Sequence, residues 1–396
     1  MRKFSGSFTQ QEPIPAEAVA AAVEVLNGGR LHRYNLNPGE PGEVALLERE
    51  YRDWQGSEYC LAVTSGGQAM QIALRACGVQ PGDKVLTNAF TLAPVPGAIQ
   101  AVGGQAVLVE IDENLRLDLA DLEARIAASG ARTLLLSHMR GHLCDMDRLM
   151  QICDAAGVTV IEDCAHTMGA RWNGKRSGNF GKAACFSTQT YKHLNSGEGG
   201  FLVTGDAELA ARATILSGSY LLFERHGAGP GIEAYENARY DMPNCSARMD
   251  ALRASILRPQ LPLLEGNIER WNARYRAVER GLQARNRIHA IERPGGESFV
   301  GSSIQFRLPG ADAAQCRKVL AAAAVRGVEL KWFGAPEPVG FTSAHQSWRY
   351  VPAQALPVTD RVLATLFDMR LPLTFSVEDC AFIAELIGEA VDEVLL

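Results

Sequence analysis

Short apolar runs alternate with amphipathic stretches along the first half of the chain. The runs at 60–63, 85–86, 106–111, 133–137, 158–161, 183–186 and 201–203 are brief and mostly apolar. Between them, 68–77, 94–102, 119–128 and 146–156 carry apolar residues at helical spacing, and Gly78 stops the first of these helices. Apolar strands alternating with amphipathic helices imply a mostly parallel sheet of about seven strands, covered on both faces. Two helices are expected upstream, at 16–26, ended by Gly28-Gly29, and at 43–54.

The pattern then changes. Residues 248–285 read as an Arg- and Leu-rich helical connector interrupted at Pro259 and Pro262. Beyond the Pro294-Gly295-Gly296 loop, 304–308, 311–326, 328–332 and 375–395 suggest a smaller α+β unit. Its aromatics Trp332, Phe333, Phe341, Trp348 and Tyr350 are expected as core, with a substrate-facing wall as the alternative. The expected division is a large unit with its lead-in over 1–258, and a connector with a small C-terminal unit over 259–396. The fold class is α/β.

Composition narrows the partners. At 396 residues the chain can bury two sizeable cores, and its formal charge of -6 argues against nucleic-acid and anionic-membrane partners. No apolar run approaches the roughly 18 residues that span a bilayer, and the N-terminus lacks the apolar segment of a secretory signal. The nine cysteines are scattered with no C-x-x-C pair, which favours a reducing cytoplasm over a disulfide framework or zinc ribbon.

Chemistry collects where parallel strands end. Ligands of open parallel sheets bind beyond the carboxyl ends of the strands. The segments there are Ser65-Gly66-Gly67-Gln68, Asn88 to Leu92, His138 to His142, Asp163 to His166 and Ser187 to Lys192. A lysine between two buried strands has its ammonium disfavoured, so Lys192 is a candidate neutral nucleophile able to form a Schiff base; a lysine that only reaches to solvent is the competing reading. The Gly66-Gly67 turn opens a helix whose free amides suit a phosphate, unless it serves the turn alone. Asp163, partly buried at a strand end, would pair with the protonated ring nitrogen of pyridoxal phosphate, or else cap a helix. His166 would reach another polar substituent of that ring. The cluster His138, Arg140, His142, Cys144, Asp145 and Asp147 has no recognised metal-ligand spacing, and no metal is expected. Neither a G-x-S-x-G elbow nor a Walker A loop occurs.

In these residues the chain resembles the DegT/DnrJ/EryC1/StrS family of pyridoxal-phosphate-dependent sugar aminotransferases. The specific parts are Thr64-Ser-Gly-Gly-Gln-Ala69, Gly78 to Asp83, His138 with Gly141, Asp145-Met-Asp147, Ile161 to His166, Gly181 with Phe186-Ser187, and Lys192 before Ser196-Gly-Glu-Gly-Gly200. The resemblance implies fold type I, as in aspartate aminotransferase, and a homodimer with active sites at the interface. It makes Lys192 the Schiff-base lysine, Asp163 the carboxylate under the pyridine nitrogen, and His166 the neighbour of the phenolic oxygen. Ser187, with Gly67 and Gln68, becomes the phosphate holder. His226-Gly227 resembles the family's His-Gly.

Three positions depart from the family's pattern. Leu92 falls where an aromatic usually stacks on the ring, with Phe90 two residues earlier as a substitute. Ser246 stands where an Asn reaches the neighbouring subunit's phosphate, with Asn244 displaced by two. Thr188 to Tyr191 replaces an aromatic-Pro run. The expected function is transfer of an amino group from glutamate or glutamine to a keto group of a sugar, nucleotide-sugar or cyclitol. Arg33, Tyr34 and Arg225 are candidate substrate contacts. The alternatives are a dehydratase or lyase using the same cofactor, and a non-enzymatic regulatory member of the fold.

Overall fold

The structure, a computed structural model, describes residues 2–37 and 39–395. Seven strands form the large sheet: β1 (Tyr59–Val63), β2 (Lys84–Asn88), β3 (Gln105–Val109), β4 (Thr133–Ser137), β5 (Thr159–Asp163), β6 (Ala183–Ser187) and β7 (Gly200–Thr204). Their order is β1-β7-β6-β5-β4-β2-β3, and only β7 runs against both its neighbours. The alternation along each strand feeds two cores. Leu134, Leu136, Val160 and Phe186 face one of them, while Leu135, Ile161 and Cys185 face the other. This is why apolar residues occupy consecutive positions in the strands rather than alternate ones.

Helices fill both faces, and their ends follow local chemistry. Ser65, Asp118, Asp145 and Asp206 accept first-turn amides, and Gly130, Gly157 and Gly218 close helices in the left-handed conformation. The expected helices at 16–26 and 43–54 span Ala16–Gly28 and Glu43–Gln55. Three helices were not expected, Ala207–Ser217, Tyr235–Asp241 and Pro357–Leu363. The connector breaks at Arg258–Leu263, a 3-10 turn holding Pro259 and Pro262, before the long helix Leu264–Gln283.

A second sheet, β8 (His289–Ala290), β9 (Ser303–Arg307), β10 (Lys331–Trp332) and β11 (Leu366–Arg370), is antiparallel in the order β8-β9-β11-β10. Helices Leu264–Gln283, Ala313–Val325 and Val377–Leu395 cover it. The start of the lead-in, expected with the large unit, packs here, while its helices stay with the large unit. Phe4 and Phe8 meet Phe375 edge-on at 4.9 Å each, and the Phe4 amide donates to the Arg326 carbonyl at 2.9 Å. The aromatics expected as one core are split among sites: Trp348, Trp332 and Phe333 are buried in three separate clusters, whereas Tyr350 and Phe341 are exposed.

Arg33 and Tyr34, expected to touch substrate, are part of the interior. Arg33 grips Glu48 with two parallel contacts of 3.0 Å, and both side chains are almost fully buried. Glu48 also accepts the Ala62 and Gly227 amides, at 3.0 and 3.2 Å. Because arginine only donates, the 3.0 Å contact from Arg33 Nη2 makes His226 Nδ1 an acceptor. The ring proton therefore sits on Nε2, which donates to the Tyr34 oxygen at 2.7 Å. Burial and the Arg33 charge hold His226 below its ordinary pKa, in agreement with that neutral tautomer. Arg225 is exposed and binds the Tyr34 carbonyl at 2.8 Å. Burial alone would raise the Glu48 pKa, but the charge and hydrogen bonds of Arg33 outweigh it and the pKa falls to about 2.

Arg33→Met should therefore lower stability by about 3–5 kcal/mol, because it strands a buried carboxylate. Urea unfolding reads this, and a normal midpoint with an altered substrate KM would return Arg33 to a ligand site. Since Glu48 titrates below its ordinary 4.5 in the fold, the pair's contribution is complete above that value. It should erode as pH falls toward about 2 in the wild type and not in the variant.

Candidate active site

Parallel strands end on one edge of the large sheet, and one cavity of about 380 Å³ opens there. Ser65, Gly66 and Gly67 follow β1, Thr91 and Leu92 follow β2, and Ser137, Met139 and Arg140 come from the end of β4. Asp163, Ala165 and His166 come from β5, and Ser187, Gln189, Tyr191 and Lys192 from β6. The five strand-end segments singled out in the sequence thus share one space. The small unit closes it with Ser302, Ser303, Arg370 and Leu371.

The loop that delivers Lys192 is tied back to the glycine-rich segment before β7. The Thr188 and Thr190 amides donate to the Gly199 and Gly197 carbonyls at 2.9 and 3.1 Å. Gly200 cannot carry a side chain, since a Cβ there would lie 2.6 Å from both the Gly66 amide and the Phe186 carbonyl. β7 therefore passes close to both the helix Gly66–Ala76 and β6, and so fixes the two ends of the cavity floor relative to each other.

Lys192 is open to the cavity and enclosed elsewhere. Burial brings its pKa from 10.5 down to about 7; Asp163 pulls it up, while Arg140, Arg370 and Lys331 push it further down. Its Nζ lies 2.8 Å from His166 Nε2. The Arg140 amide donates to His166 Nδ1 at 3.4 Å, which places the ring proton on Nε2, pointing at the lysine nitrogen. A neutral amine accepts that proton and an ammonium does not. Burial and the nearby Lys192 charge also hold His166 well below its ordinary pKa, hence neutral.

Asp163 is buried at the end of β5. It accepts the Ala165 amide on Oδ1 and the Ser137 hydroxyl on Oδ2, both at 3.1 Å, and Thr91 donates to Ser137 at 2.7 Å. Burial raises its pKa. A buried carboxylate with only these two donors among the described residues has capacity for another. Ser65 spends its hydroxyl on the Gln68 amide at 3.1 Å, leaving the Gly66 and Gly67 amides at the head of the helix. A Cβ on Gly67 would meet nothing nearer than the Ser65 hydroxyl at 3.8 Å, so the space in front of those amides is free. The Ser187 hydroxyl accepts the Gln189 amide at 3.3 Å and keeps its own proton to donate.

Other expected positions separate. Leu92 is on the wall, whereas Phe90 is buried against Phe333 with ring centroids 5.0 Å apart and never reaches the cavity. Gln68 has its amide capped and does not line the space. Ser246 is exposed outside it, donating its amide to Asn244 at 3.0 Å. Arg33, Tyr34 and Arg225 lie in or on the network described above. Of the histidine cluster, His138 meets Glu162 at 2.9 Å, a carboxylate that also accepts three backbone amides. His142 meets Gln305 at 2.8 Å, Asp145 caps a helix, and Asp147 accepts the Trp172 indole at 2.9 Å. Reading the sequence missed Tyr191 and Arg370 as wall residues, and Phe341 takes the substrate-facing place that was the alternative to core. Arg140 was noticed only as a poor neighbour for a metal.

Comparison with known proteins agrees with this geometry. The family model described as the DegT/DnrJ/EryC1/StrS aminotransferase family matches residues 14–387. The chain is 35% identical over 276 residues to the 3-amino-5-hydroxybenzoate synthase of Amycolatopsis mediterranei (strain S699), covering 68% of this chain and 67% of that one. It is 34% identical over 257 residues to the L-glutamine:scyllo-inosose aminotransferase of Streptomyces griseus, covering 64% of this chain and 60% of that one. The crystal structure of a 3-amino-5-hydroxybenzoic acid synthase superposes with a TM-score of 0.82 at 26% identity, over 98% of this chain and 99% of that one. The architecture is the α/β fold type I expected from the sequence.

Amine-selective acylation of Lys192, followed by peptide mass spectrometry on the cofactor-free protein, should rise with a midpoint near pH 7. At that pH about half the lysine is neutral, against about one in three thousand for an ordinary lysine. Asp163→Asn should move the midpoint lower still, and a midpoint near the ordinary value would contradict the burial argument.

Proposed function

Because the chain belongs to the DegT/DnrJ/EryC1/StrS aminotransferase family, we propose that it is a pyridoxal-phosphate-dependent transaminase. In this reading it moves an amino group from glutamate or glutamine to a keto group of a sugar, nucleotide-sugar or cyclitol. One observation carries the proposal: a neutral-leaning lysine and a buried, under-donated carboxylate face the same small cavity.

The residues fit the cofactor. The Gly66 and Gly67 amides and the Ser187 hydroxyl would hold its phosphate, in the space a Cβ on Gly67 would otherwise take. Asp163 would hold the proton on the ring nitrogen, supplying the partner its buried carboxylate has room for. Leu92 offers the ring an aliphatic face. His166, neutral, would meet the phenolic oxygen. When bound, the cofactor supplies a carbon that condenses with amines and a ring that withdraws electrons from the carbon being exchanged. Lys192 is the amine the chain offers to that carbon. Once a substrate amine displaces it, the same nitrogen is placed to take and return a proton at the substrate carbon, and its pKa near neutrality suits both directions.

His193 bears on the dehydratase alternative, in which a histidine takes the lysine's role. Its ring is buried edge-on against Trp271 at 5.2 Å and meets Ser302 at 3.1 Å, and burial depresses its pKa to about 3. It does not line the cavity, whereas Lys192 does, and this favours transamination. The same wall of reactive groups favours an enzyme over a purely regulatory member of the fold. A homodimer with sites at its interface and a cytoplasmic location complete the reading. Ser246 and Asn244, exposed outside the chain's own cavity, are then free to face a partner. Among the described residues no helix is long and apolar enough to cross a membrane.

Wild-type protein should retain pyridoxal phosphate through dialysis with a visible absorbance band that Lys192→Ala abolishes. L-glutamine or L-glutamate should bleach that band, and a keto cyclitol or keto sugar should restore it. Lys192→Ala should slow amination by about 10²–10⁴-fold. Loss of water from the keto substrate with no amine gained would refute transamination.

A further inference from the structure

The cavity holds more positive charge than the proposed chemistry uses. Arg140 is 6% exposed, lines the cavity, and sits at a left-handed φ of 55°, a conformation a side chain rarely adopts. Its Nη2 lies 2.8 Å from Asp368 Oδ2, off the line of a hydrogen bond. Both Nη2 and Nε are buried without a hydrogen-bond partner among the described residues. Asp368 is shared, since Gln305 donates to its Oδ1 at 2.8 Å and Lys331 stands 3.5 Å from its Oδ2.

Arg370, at the end of β11, also lines the cavity. Its guanidinium lies 3.7 Å from the Tyr191 ring centroid and 5.2 Å from that of Phe341. It has no carboxylate partner among the described residues. A guanidinium stacked on its face keeps its edge donors free, and that edge matches a planar carboxylate. Arg140, Lys331 and Arg370 thus face one buried carboxylate, Asp368, while the acids on the cavity wall are Asp163, opposite at the end of β5, and Glu198, exposed on the glycine-rich segment. Burial and the charge of Arg140 both lower the Arg370 pKa, and Asp368 offsets them only in part, as expected for cations that outnumber the anion they share.

We infer that Arg140 and Arg370 form a carboxylate-binding subsite on the small-unit side of the cavity, so that at least one small-molecule substrate enters with its carboxylate against them. The inference rests on the transaminase reading, in which the amino donor is an amino acid and the acceptor is a small keto compound. It adds that the acid group is gripped by these two arginines. The donor's carboxylate and one on the keto acceptor are the two possible sources, because both substrates use the same space in turn.

The test is equilibrium binding of glutarate to the holoenzyme by calorimetry, which needs no turnover. Glutarate should bind the wild type, and its neutral diamide, glutaramide, should bind at least about tenfold more weakly. Arg140→Gln and Arg370→Gln should each weaken glutarate at least about tenfold while the cofactor band stays in place, and Arg140→Lys should recover part of the loss. If Arg140→Gln does not fold without its Asp368 contact, Arg370→Gln, at a partly buried position with no carboxylate partner among the described residues, decides alone. Unchanged glutarate affinity in Arg370→Gln, or equal binding of glutaramide, overturns the inference. The two half-reactions identify the source. Slowing of the glutamine or glutamate half alone in Arg370→Gln assigns the carboxylate to the donor. Slowing that extends to a keto acid but spares a neutral keto cyclitol assigns it to the acceptor as well. Loss of the cofactor band in the wild type would instead refute the transaminase reading.

Discussion

The structure depends on keeping one amine neutral inside a protein. An ammonium at position 192 would be desolvated on most sides and surrounded by Arg140, Arg370 and Lys331. Only Asp163 favours it, and burial outweighs that attraction. The His166 ring completes the arrangement, since its proton is directed at the lysine nitrogen by the Arg140 amide on the other side of the ring. The left-handed turn at Met139–Gly141 therefore does two things at once. It sets the histidine tautomer through its backbone and brings a guanidinium to the cavity through its side chain.

The large sheet supplies the geometry this chemistry needs. Strands β4, β5 and β6 are adjacent and parallel, so Ser137, Asp163 and Ser187 stand side by side where they end. β7 returns antiparallel between β6 and β1, and its glycine start lets the helix Gly66–Ala76 approach β6 closely. The phosphate-sized space and the lysine loop are thereby held by the same few backbone contacts. A bulkier residue at Gly200 would push apart two elements that both line the site.

Much of this was legible because it is local. Asp163, His166, Ser187 and Lys192 each come within a few residues of the end of an apolar run, so the strand and its functional end are read together. What was not legible depends on distant pairing. Arg33 reads as a surface charge until Glu48 and His226 are placed beside it, one of them 193 residues away. Arg370 sits on β11, a strand defined by its pairing with β9 and β10. Phe4 and Phe8 look like a loose lead-in until the small sheet gives them Phe375 to pack on. Phe90 and Leu92 are both apolar, in a segment with neither strand nor helical period, and only the position of Phe333 shows which one is buried. Phe341 was expected as core for the same reason and is exposed at the cavity instead.

The cations around Lys192 link its two requirements. While the cavity is free of anions, Arg140, Arg370 and Lys331 push the lysine toward the neutral form that attacks a carbonyl. A carboxylate placed against the arginines would cancel part of that field and favour the protonated lysine. The amine would then be most nucleophilic before an acidic substrate arrives and most able to deliver a proton after it has bound. A lysine lowered by burial alone would lack this response, because burial does not change sign when a ligand enters. The like-charged neighbours, which cost stability in the empty fold, give the site its sensitivity to the charge of what it binds.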